Sequence, residues 1–286
     1  GLMLAMWMVS ASLLGVWMWS TGALKRIGKR SAGWFIVALV VTTIFCKSTG
    51  SLVLMITGLA CLFSIRKLGR ATPVVLLCLP ALVYPAVRMG GSWDGMVMVH
   101  MAESTVGAER AQSLEFRLQN EDILSNKALQ RFWWGWGRFG RSRVLNEFGK
   151  DISTTDGEWI IALGESGVIG LAAVTMLYLL PVFRLWWRLK GPLWGDPSFA
   201  AVTAFAVILT LYATDNILNA MINPVITVVM GGVNGALLRH IVSESVPMEA
   251  FSEPVPVRQK DPRRALWPPP TAGAAAGPPE HAHAGR

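Results

Sequence analysis

Hydrophobic positions in this chain form long, nearly continuous runs separated by short polar stretches, and only one internal polar stretch is long. Runs of this kind are typical of helices that cross a bilayer, whose hydrocarbon core is about 30 Å thick. The pattern predicts an all-α fold, a polytopic transmembrane helix bundle with one large helical extracytoplasmic loop. About seven spans are predicted, at residues 2–19, 33–46, 51–65, 72–87, 159–183, 199–213 and 217–238.

Charged residues in the short loops predict the orientation of the bundle. The loops at 25–30, 66–70 and 184–190 are basic, whereas the turns at 47–50 and 214–216 carry almost no charge. The positive-inside rule places the basic loops and the C-terminus in the cytoplasm. Only 15% of the residues are charged, against about a quarter in soluble domains, and the mean hydropathy is +0.44. The net charge of +8 is then explained by topology and lipid headgroups, with no nucleic-acid partner.

Four segments follow from this pattern. Residues 1–87 hold the first four transmembrane helices, 88–157 form the extracytoplasmic loop, 158–240 hold the last three helices, and 241–286 form a disordered, Pro/Ala-rich cytoplasmic tail. A long loop in a compact membrane protein is usually functional. Because the chain begins with Gly and no basic segment precedes the first apolar run, we expect the natural N-terminus to be missing.

The long loop contains a glycine pattern, Gly135-Trp136-Gly137-Arg138-Phe139-Gly140, that matches the G-x-G-x-x-G signature of dinucleotide-binding turns. That signature requires a strand before the first glycine and a helix after the last one. Residues 109–131 instead have helical spacing and contain neither Pro nor Gly. The context therefore excludes a nucleotide site at this position.

Arginines are the more informative residues of this loop. At 100° per residue, Arg110, Arg117 and Arg131 share one side of the predicted helix. Guanidinium groups are preferred partners of phosphate because their planar fork donates two hydrogen bonds at once. The alternative is a solvated amphipathic helix with ion pairs such as Arg117–Glu121. The remaining arginines of the group follow the helix, at Arg138, Arg141 and Arg143.

Five aromatic residues, one of them Trp136, occur within residues 132–139 of this loop. Tryptophan collects at the headgroup level of membranes, and aromatic faces also stack on sugar rings. The sequence leaves both alternatives open, an interfacial anchor and a glycan-binding surface. The five residues are Phe132, Trp133, Trp134, Trp136 and Phe139.

Carboxylates and amides flank the next two apolar runs. Asp156 and Glu158 stand where the chain re-enters the membrane, and a carboxylate next to hydrocarbon can serve as a general base. The alternative for Asp156 is a helix cap. Asp215, Asn219 and Asn223 recur every four residues, which predicts one polar helical face lining a cavity. For Asp215, a position in an external turn is the alternative.

These segments, taken in order, resemble the O-antigen ligase/polymerase superfamily, including exopolysaccharide polymerases. The family has an Arg-bearing helix, a Pro-Leu-x-Gly-Trp-Gly turn and a re-entry motif that ends Gly-x-x-Gly-Leu. "GWG" at residues 135–137 and "GVIGL" at 167–171 match it, and "DNILNAMINP" is similar to a helical pair of the polymerase-like branch. "KSTG" at 47–50 replaces the Ser-Arg-Gly that is frequent in the family, and Asp156 stands where ligases carry a His. These departures favour a polymerase-like or divergent member.

The resemblance implies a metal-independent, cofactor-free glycosyltransferase of the bacterial inner membrane, active on its periplasmic face. Its donor would be an undecaprenyl-pyrophosphate-linked glycan, and its acceptor another glycan or the lipid A core. Membrane lipids and other polysaccharide-assembly proteins would be further partners. The expected catalytic residues are Asp156 and Glu158. The expected substrate-binding residues are Lys47, Arg110, Arg117, Trp136, Arg138, Arg141, Arg143, Asp215 and Asn219.

Two other functions stay open at the level of the sequence. A transporter or flippase of lipid-linked sugars would also be polytopic, and such proteins often contain internal repeats and charges at the bilayer midplane. A non-catalytic member of the polysaccharide export machinery would have the same composition. The charge in this chain concentrates in one external loop, and no repeat is evident, which favours the transferase.

Overall fold

A computed structural model describes residues 2–91, 93–220 and 223–245, with side chains described as far as residue 240. The predicted disordered tail therefore lies almost entirely outside the described residues. One short hairpin, β1 (Arg26–Ile27) with β2 (Arg30–Ser31), occupies the first basic loop. The α-helices are α1 (Leu2–Ser20), α2 (Ala32–Phe45), α3 (Thr49–Leu68), α4 (Thr72–Leu77), α5 (Leu79–Met89), α6 (Met96–Val106), α7 (Ala108–Leu129), α8 (Glu158–Arg188), α9 (Ala200–Asp215) and α10 (Pro224–Ser245).

Several of these helices have the length and composition of membrane spans. Five described segments are long and apolar enough to cross a bilayer, and α2 is apolar but has only 14 residues. The predicted helical fold, with helices long and apolar enough to cross a membrane, is thus confirmed, while the count of about seven spans stays a prediction. The five segments are Leu2–Ser20, Thr49–Leu68, Thr72–Met89, Glu158–Arg188 and Pro197–Asp215.

Helix α9 is the most deeply buried element of the bundle. Every residue from Ala206 to Ala213 is at most 8% exposed, and α1, α3 and α8 pack around the helix. A Cβ added at Gly58 of α3 would lie 2.8 Å from the side chains of Leu13 and Leu211. Small residues at helix crossings allow close packing of membrane helices, where the hydrophobic effect does not hold helices together. Gly58 thus brings α1, α3 and α9 together.

Helices α6 and α7 form a helical hairpin within the long polar segment, and α7 packs against α8. The helix predicted at 109–131 is confirmed except at its end. Because α7 ends at Leu129, Arg131 lies beyond the helix and does not share one helical face with Arg110 and Arg117. The prediction that all three arginines lie on one helical face is therefore wrong for Arg131.

Helix α8 is sharply bent at Gly167. This residue has φ 66° and ψ −167°, a conformation that is essentially restricted to glycine. The Tyr178 hydroxyl lies 3.0 Å from a carboxylate oxygen of Glu158. These residues are 20 positions apart and would be separated by about 30 Å along a straight helix. The segments before and after Gly167 must therefore meet at a sharp angle.

The turn at residues 135–137, here called the GWG turn, docks on this bend through its backbone. The N–H of Trp136 donates to the carbonyl oxygen of Gly164 at 2.8 Å, and the N–H of Gly137 donates to that of Glu165 at 2.9 Å. In an unbroken helix these carbonyls would accept from residues four positions later. The turn therefore supplies hydrogen bonds that the bend removes, so that the backbone groups stay paired.

The glycines of the motif are required for this close approach. A Cβ at Gly135 would lie 2.6 Å from backbone atoms of the bend, and a Cβ at Gly167 would lie 2.3 Å from the Trp133 carbonyl oxygen. A third hydrogen bond, from the N–H of Val168 to the Phe132 carbonyl at 2.7 Å, completes the contact. Backbone packing, with no nucleotide involved, accounts for the first part of the G-x-G-x-x-G pattern.

Candidate functional site

Three segments that are distant in sequence meet in one polar cluster. The Arg117 Nη1 donates to the Asn219 Oδ1 at 3.0 Å and to the Leu218 carbonyl oxygen at 2.9 Å. The Arg117 Nε lies 3.7 Å from the Asp156 Oδ2. The Asn219 Nδ2 donates to the Asp215 Oδ1 at 3.0 Å. We call Arg117, Asp156, Asp215 and Asn219 the Arg117 cluster, and all four were predicted as site residues.

Two backbone hydrogen bonds hold the segment before α8 against the segment after α9. The N–H of Ala220 donates to the Asp156 carbonyl at 2.5 Å, and the N–H of Glu158 donates to the Asn216 carbonyl at 2.8 Å. Between them, a Cβ at Gly157 would lie 2.2 Å from a carbonyl oxygen of the opposite segment. Only glycine allows this spacing, which places Asp156 next to the residues that hold Arg117.

The cluster remains open to a ligand. The side chains of Arg117 and Asp156 are 28% and 34% exposed. Within the described residues, the Arg117 Nη2 has no hydrogen-bond partner, so one edge of the guanidinium fork is available. A half-buried guanidinium of this kind can bind a phosphate oxygen, and a neighbouring carboxylate can accept a proton from a hydroxyl.

The polar residues after α9 are arranged differently from the prediction. Helix α9 ends at Asp215 and α10 begins at Pro224, so Asp215, Asn219 and Asn223 do not line one helical face. Proline lacks the N–H that would continue a helix and restricts the residue before it. Asn219 still reaches Asp215 because its N–H donates to the Asp215 carbonyl at 3.0 Å, whereas the Asn223 side chain accepts from the N–H of Val225.

Glu158, the second predicted catalytic residue, lies in a separate buried network. Its carboxylate accepts hydrogen bonds from the Tyr178 hydroxyl at 3.0 and 3.1 Å and from the Asn216 Nδ2 at 2.5 Å. Glu158 is only 8% exposed. Because Asn216 begins the segment that carries Asn219, this network positions the Arg117 cluster.

A second arginine network was not predicted. The Arg88 Nε lies 3.3 Å from the Glu121 Oε2, and the same carboxylate accepts from Tyr84 at 2.7 Å and from Trp159 at 3.1 Å. Burial raises the pKa of the Glu121 carboxyl. The hydrogen bonds and the nearby guanidinium act in the opposite direction, but the effect of burial is larger. The alternative Arg117–Glu121 ion pair does not form, because Glu121 faces Arg88 and leaves Arg117 to join the cluster.

The arginines after α7 form other contacts. The Arg138 Nε lies 3.5 Å from the Glu165 Oε2, and the Arg141 Nε donates to the Arg138 carbonyl at 3.0 Å. The Arg143 Nη1 lies 3.2 Å from the Asp151 Oδ2. In the described part of the chain, none of these three arginines contacts the Arg117 cluster. The predicted group of arginines is therefore divided between two places.

Arg110 and Lys47 are exposed, and neither contacts the cluster within the described residues. Arg110 lies seven residues before Arg117 on α7, which places it on nearly the same face about 10 Å away along the helix. Lys47 follows α2 with φ 51°. Arg110 can reach a ligand that extends from Arg117 along α7.

Trp136 packs against the end of α7. Its Nε1 donates to the Lys127 carbonyl at 2.8 Å, and the Arg131 guanidinium lies 4.5 Å from the ring centroid. This half-buried ring therefore anchors the GWG turn. Trp134 and Phe139, by contrast, are 76% and 95% exposed. For these two residues, an interfacial anchor and a glycan-binding surface both stay predictions.

In the described ranges, no three His, Cys, Asp or Glu side chains come together in a group that could hold a metal ion. No family model matches the chain, and no curated protein and no solved structure matches it either. The interpretation of the site therefore depends on the geometry of the Arg117 cluster and on the sequence motifs.

Proposed function

We propose that this protein is a membrane glycosyltransferase that polymerises or ligates undecaprenyl-pyrophosphate-linked glycans, O-antigen or exopolysaccharide, without a metal ion. The observation that carries the proposal is the convergence of Arg117, Asp156 and Asn219 at the edge of an apolar helix bundle. A guanidinium beside a carboxylate suits a substrate that contains both a phosphate leaving group and a reacting hydroxyl. The resemblance of the GWG and GVIGL motifs to the O-antigen ligase/polymerase superfamily supports the same assignment.

The reaction follows from these two groups. The acceptor hydroxyl oxygen bonds to the anomeric carbon of the donor glycan, and the bond from that carbon to the pyrophosphate oxygen breaks. Asp156 accepts the hydroxyl proton, and the pyrophosphate leaves with the electron pair. Arg117 stabilises the negative charge that develops on the leaving group, which is the interaction that lowers the barrier.

The neighbouring residues have supporting roles in this proposal. Asn219 and Asp215 fix the orientation of Arg117, and Glu158 fixes the segment that carries Asn219. Arg110, on nearly the same face of α7, extends the cationic surface for a substrate with two phosphates. The site would lie on the periplasmic face, at the level where lipid headgroups meet water.

The test is the release of undecaprenyl pyrophosphate from a lipid-linked glycan by the purified full chain in liposomes. We expect release that depends on an acceptor glycan, together with a lengthened or transferred product. Asp156→Asn should lower the rate about 100-fold or more, within the range for loss of a general base. Glu147→Gln, which removes an exposed carboxylate elsewhere in the loop, should retain the rate. Full activity of Asp156→Asn would contradict the proposed role of Asp156.

A transporter of lipid-linked glycans is the second candidate, and two observations favour it. Helix α8 is broken at Gly167, and Glu158 is a buried carboxylate within the apolar bundle. Broken helices and intramembrane carboxylates are frequent in transporters. In the liposome assay a transporter would move the lipid-linked glycan between leaflets without cleaving the glycosyl–pyrophosphate bond, so the two functions give different products.

A further inference from the structure

The part of helix α8 that follows its bend has the length of one membrane span. It comprises residues 168–188, which rise about 31 Å in a helix, close to the hydrocarbon thickness of a bilayer. Near its far end, Trp186 and Trp187 are 43% and 81% exposed, and Arg188 is its last residue. Tryptophan and arginine side chains are frequent where a span meets the headgroups. The bend at Gly167 therefore marks the opposite end of this span.

The ends of two other helices lie at the same level as Trp186 and Trp187. The carbonyl oxygen of Ser20, at the end of α1, accepts a hydrogen bond from the Arg66 Nη1, near the end of α3, at 2.9 Å. A Cβ at Gly191, just after α8, would clash with the carbonyl oxygen of Gly69, just after α3. Trp19, beside Ser20, is 50% exposed. Exposed tryptophans thus collect at this end of the bundle, as they do at one face of a membrane.

A second pair of exposed tryptophans lies directly at the bend. A Cβ at Gly167 would overlap the Trp133 carbonyl group and lie 2.5 Å from the Trp134 amide nitrogen, so both backbones touch the bend. The side chains of Trp133 and Trp134 are 63% and 76% exposed. Twenty residues of helix separate Gly167 from Trp187, which is about 30 Å. The two exposed pairs are therefore spaced like the two faces of a bilayer.

Phe139 extends outward from the same stretch of chain. It is 95% exposed and has φ 62°, a conformation that is uncommon for a bulky residue. The turn around it is ordered, because the Arg141 Nε donates to the Arg138 carbonyl and the N–H of Arg143 donates to the Gly140 carbonyl, each at 3.0 Å. An ordered turn that holds an apolar ring away from the protein suits insertion into an outside surface. Glycan sites, by contrast, are usually concave and lined by converging polar groups.

Exposed cations surround these aromatic rings. Arg131, Arg138 and Arg141 are all exposed, and the Arg138 side chain stays 81% exposed although its Nε lies 3.5 Å from the Glu165 Oε2. Guanidinium groups bind phosphate oxygens, and basic side chains are attracted to anionic lipids. Aromatic rings together with arginines match the headgroup layer of a membrane, where phosphates lie above hydrocarbon.

We propose that residues 131–141, here called the aromatic loop, dock on the lipid headgroup layer beside the end of the α8 span. Trp133, Trp134 and Phe139 insert at the boundary between headgroups and hydrocarbon, and the exposed arginines face lipid phosphates. The inference rests on α8 being a membrane span and is independent of the transferase reaction. Through the backbone contact at Gly167, the membrane surface then supports the GWG turn and the segment after α7.

The test measures the depth of single fluorescent labels on the full chain in vesicles of phosphatidylcholine and phosphatidylglycerol. Trp134→Cys and Phe139→Cys carry the label in a background with Cys46, Cys61 and Cys78 replaced by Ala. Because Phe139 is almost fully exposed, its substitution should not disturb folding. Met176→Cys, at a 64% exposed position in the middle of the span, is the matched reference.

Two spin-labelled lipids act as quenchers, one with the spin label near the headgroup and one with it near the end of the acyl chain. The labels at positions 134 and 139 should be quenched at least about twofold more by the shallow lipid, since the headgroups lie about 15 Å from the bilayer centre. The label at position 176 should show the reverse order. Iodide in the water should quench the labels of the aromatic loop only weakly.

Four results would overturn the proposal. Strong quenching by iodide without quenching by either lipid would place the aromatic loop in water. If added dextran oligosaccharides shield these labels from iodide, the loop binds glycans. Shielding that grows with the protein-to-lipid ratio would assign the loop to a second copy of the chain. A label at position 176 that the deep lipid does not quench would contradict the span itself. The transferase assay is unaffected by the first three results, so the two proposals fail separately.

Discussion

Two arginines with different surroundings have different roles in this protein. Arg88 is 4% exposed and has a buried carboxylate beside it, whereas Arg117 is half-buried and keeps one edge of its fork open. A buried ion pair contributes little net stability, but removal of one partner leaves an uncompensated charge. Arg88 is therefore structural, and Arg117 is available for a ligand.

Removal of the charge of Arg88 should destabilise the fold. Arg88→Met leaves Glu121 buried without its guanidinium partner, and the free energy of unfolding should fall by about 3–5 kcal/mol. Denaturant unfolding in detergent, followed by tryptophan fluorescence, measures this loss. The double variant Arg88→Met/Glu121→Leu should recover part of it, because Tyr84 and Trp159 then lose their acceptor and the Leu118 carbonyl still lacks its donor. If the double variant is as unstable as the single one, the buried pair is not the cause.

The contact between the GWG turn and the bend of α8 fixes the position of the segment after α7 relative to α8. It joins the turn after α7 to the bend of α8 through backbone hydrogen bonds. Helix α7 carries Arg117, and α8 begins two residues after Asp156. Gly157 gives a second close contact between backbone segments, before α8. A small displacement of the backbone at either contact would move Arg117 away from Asp156.

Gly167→Ala should break this constraint. The added Cβ would lie 2.3 Å from the Trp133 carbonyl oxygen, and the residue would need a backbone conformation that costs an L-residue about 1–3 kcal/mol. Backbone amides of residues 132–137 should then exchange faster with deuterium, as measured by mass spectrometry. Gly231→Ala in α10, where a Cβ meets nothing within 4 Å, should leave this exchange unchanged. Equal protection in both variants would show that the turn does not depend on the bend.

Gly157→Ala tests the second constraint. Its Cβ would lie 2.2 Å from the Ile217 carbonyl oxygen, so the two segments must move apart and carry Asp156 away from Arg117. The rate of glycan transfer should fall at least about tenfold, since misplacement of a catalytic group by about 1 Å can cost 100-fold. Circular dichroism should retain its helical signal. A variant with full activity would mean that the spacing of these segments is unimportant.

Periodicity and apolar runs were sufficient to predict the helical bundle and α7, because both depend on local patterns. Contacts between distant segments were not predictable in this way. The partner of Glu121 is Arg88, 33 positions earlier, and the bend at Gly167 is stabilised by a turn about 30 positions earlier. The polar face predicted at Asp215–Asn223 was wrong because Pro224 starts a new helix. Asp156 and Arg117 were identified from their chemistry, from helical spacing and from the family resemblance, but only the fold shows that they lie together.

At the scale of the whole molecule, a buried apolar bundle supports one large polar segment that carries α6, α7 and the GWG turn. The structure describes helices of sufficient length to cross a membrane, and the distribution of basic loops predicts their direction. In the proposed topology the Arg117 cluster faces the periplasm, and the basic hairpin at 26–31 faces the cytoplasm.

Cysteine labelling in intact cells tests this topology. In a background with Cys46, Cys61 and Cys78 replaced by Ala, Lys150→Cys should react with a membrane-impermeant maleimide. Lys67→Cys should react only after the membrane is permeabilised. Both lysines are exposed, so a difference in labelling reports their side of the membrane and not their burial. The reverse pattern of labelling would invert the predicted orientation.

The most direct test of the proposed transferase is the rate of undecaprenyl pyrophosphate release by Arg117→Ala, compared with the parent chain and with Lys150→Ala. Lys150 is an exposed cation of the same loop that lies outside the cluster, so it controls for a general loss of positive charge. We predict that Arg117→Ala lowers the rate by about 100-fold or more, because the leaving group loses its guanidinium partner. Lys150→Ala should retain the parent rate. Equal rates for the parent chain and Arg117→Ala would contradict the proposed role of Arg117 in transfer.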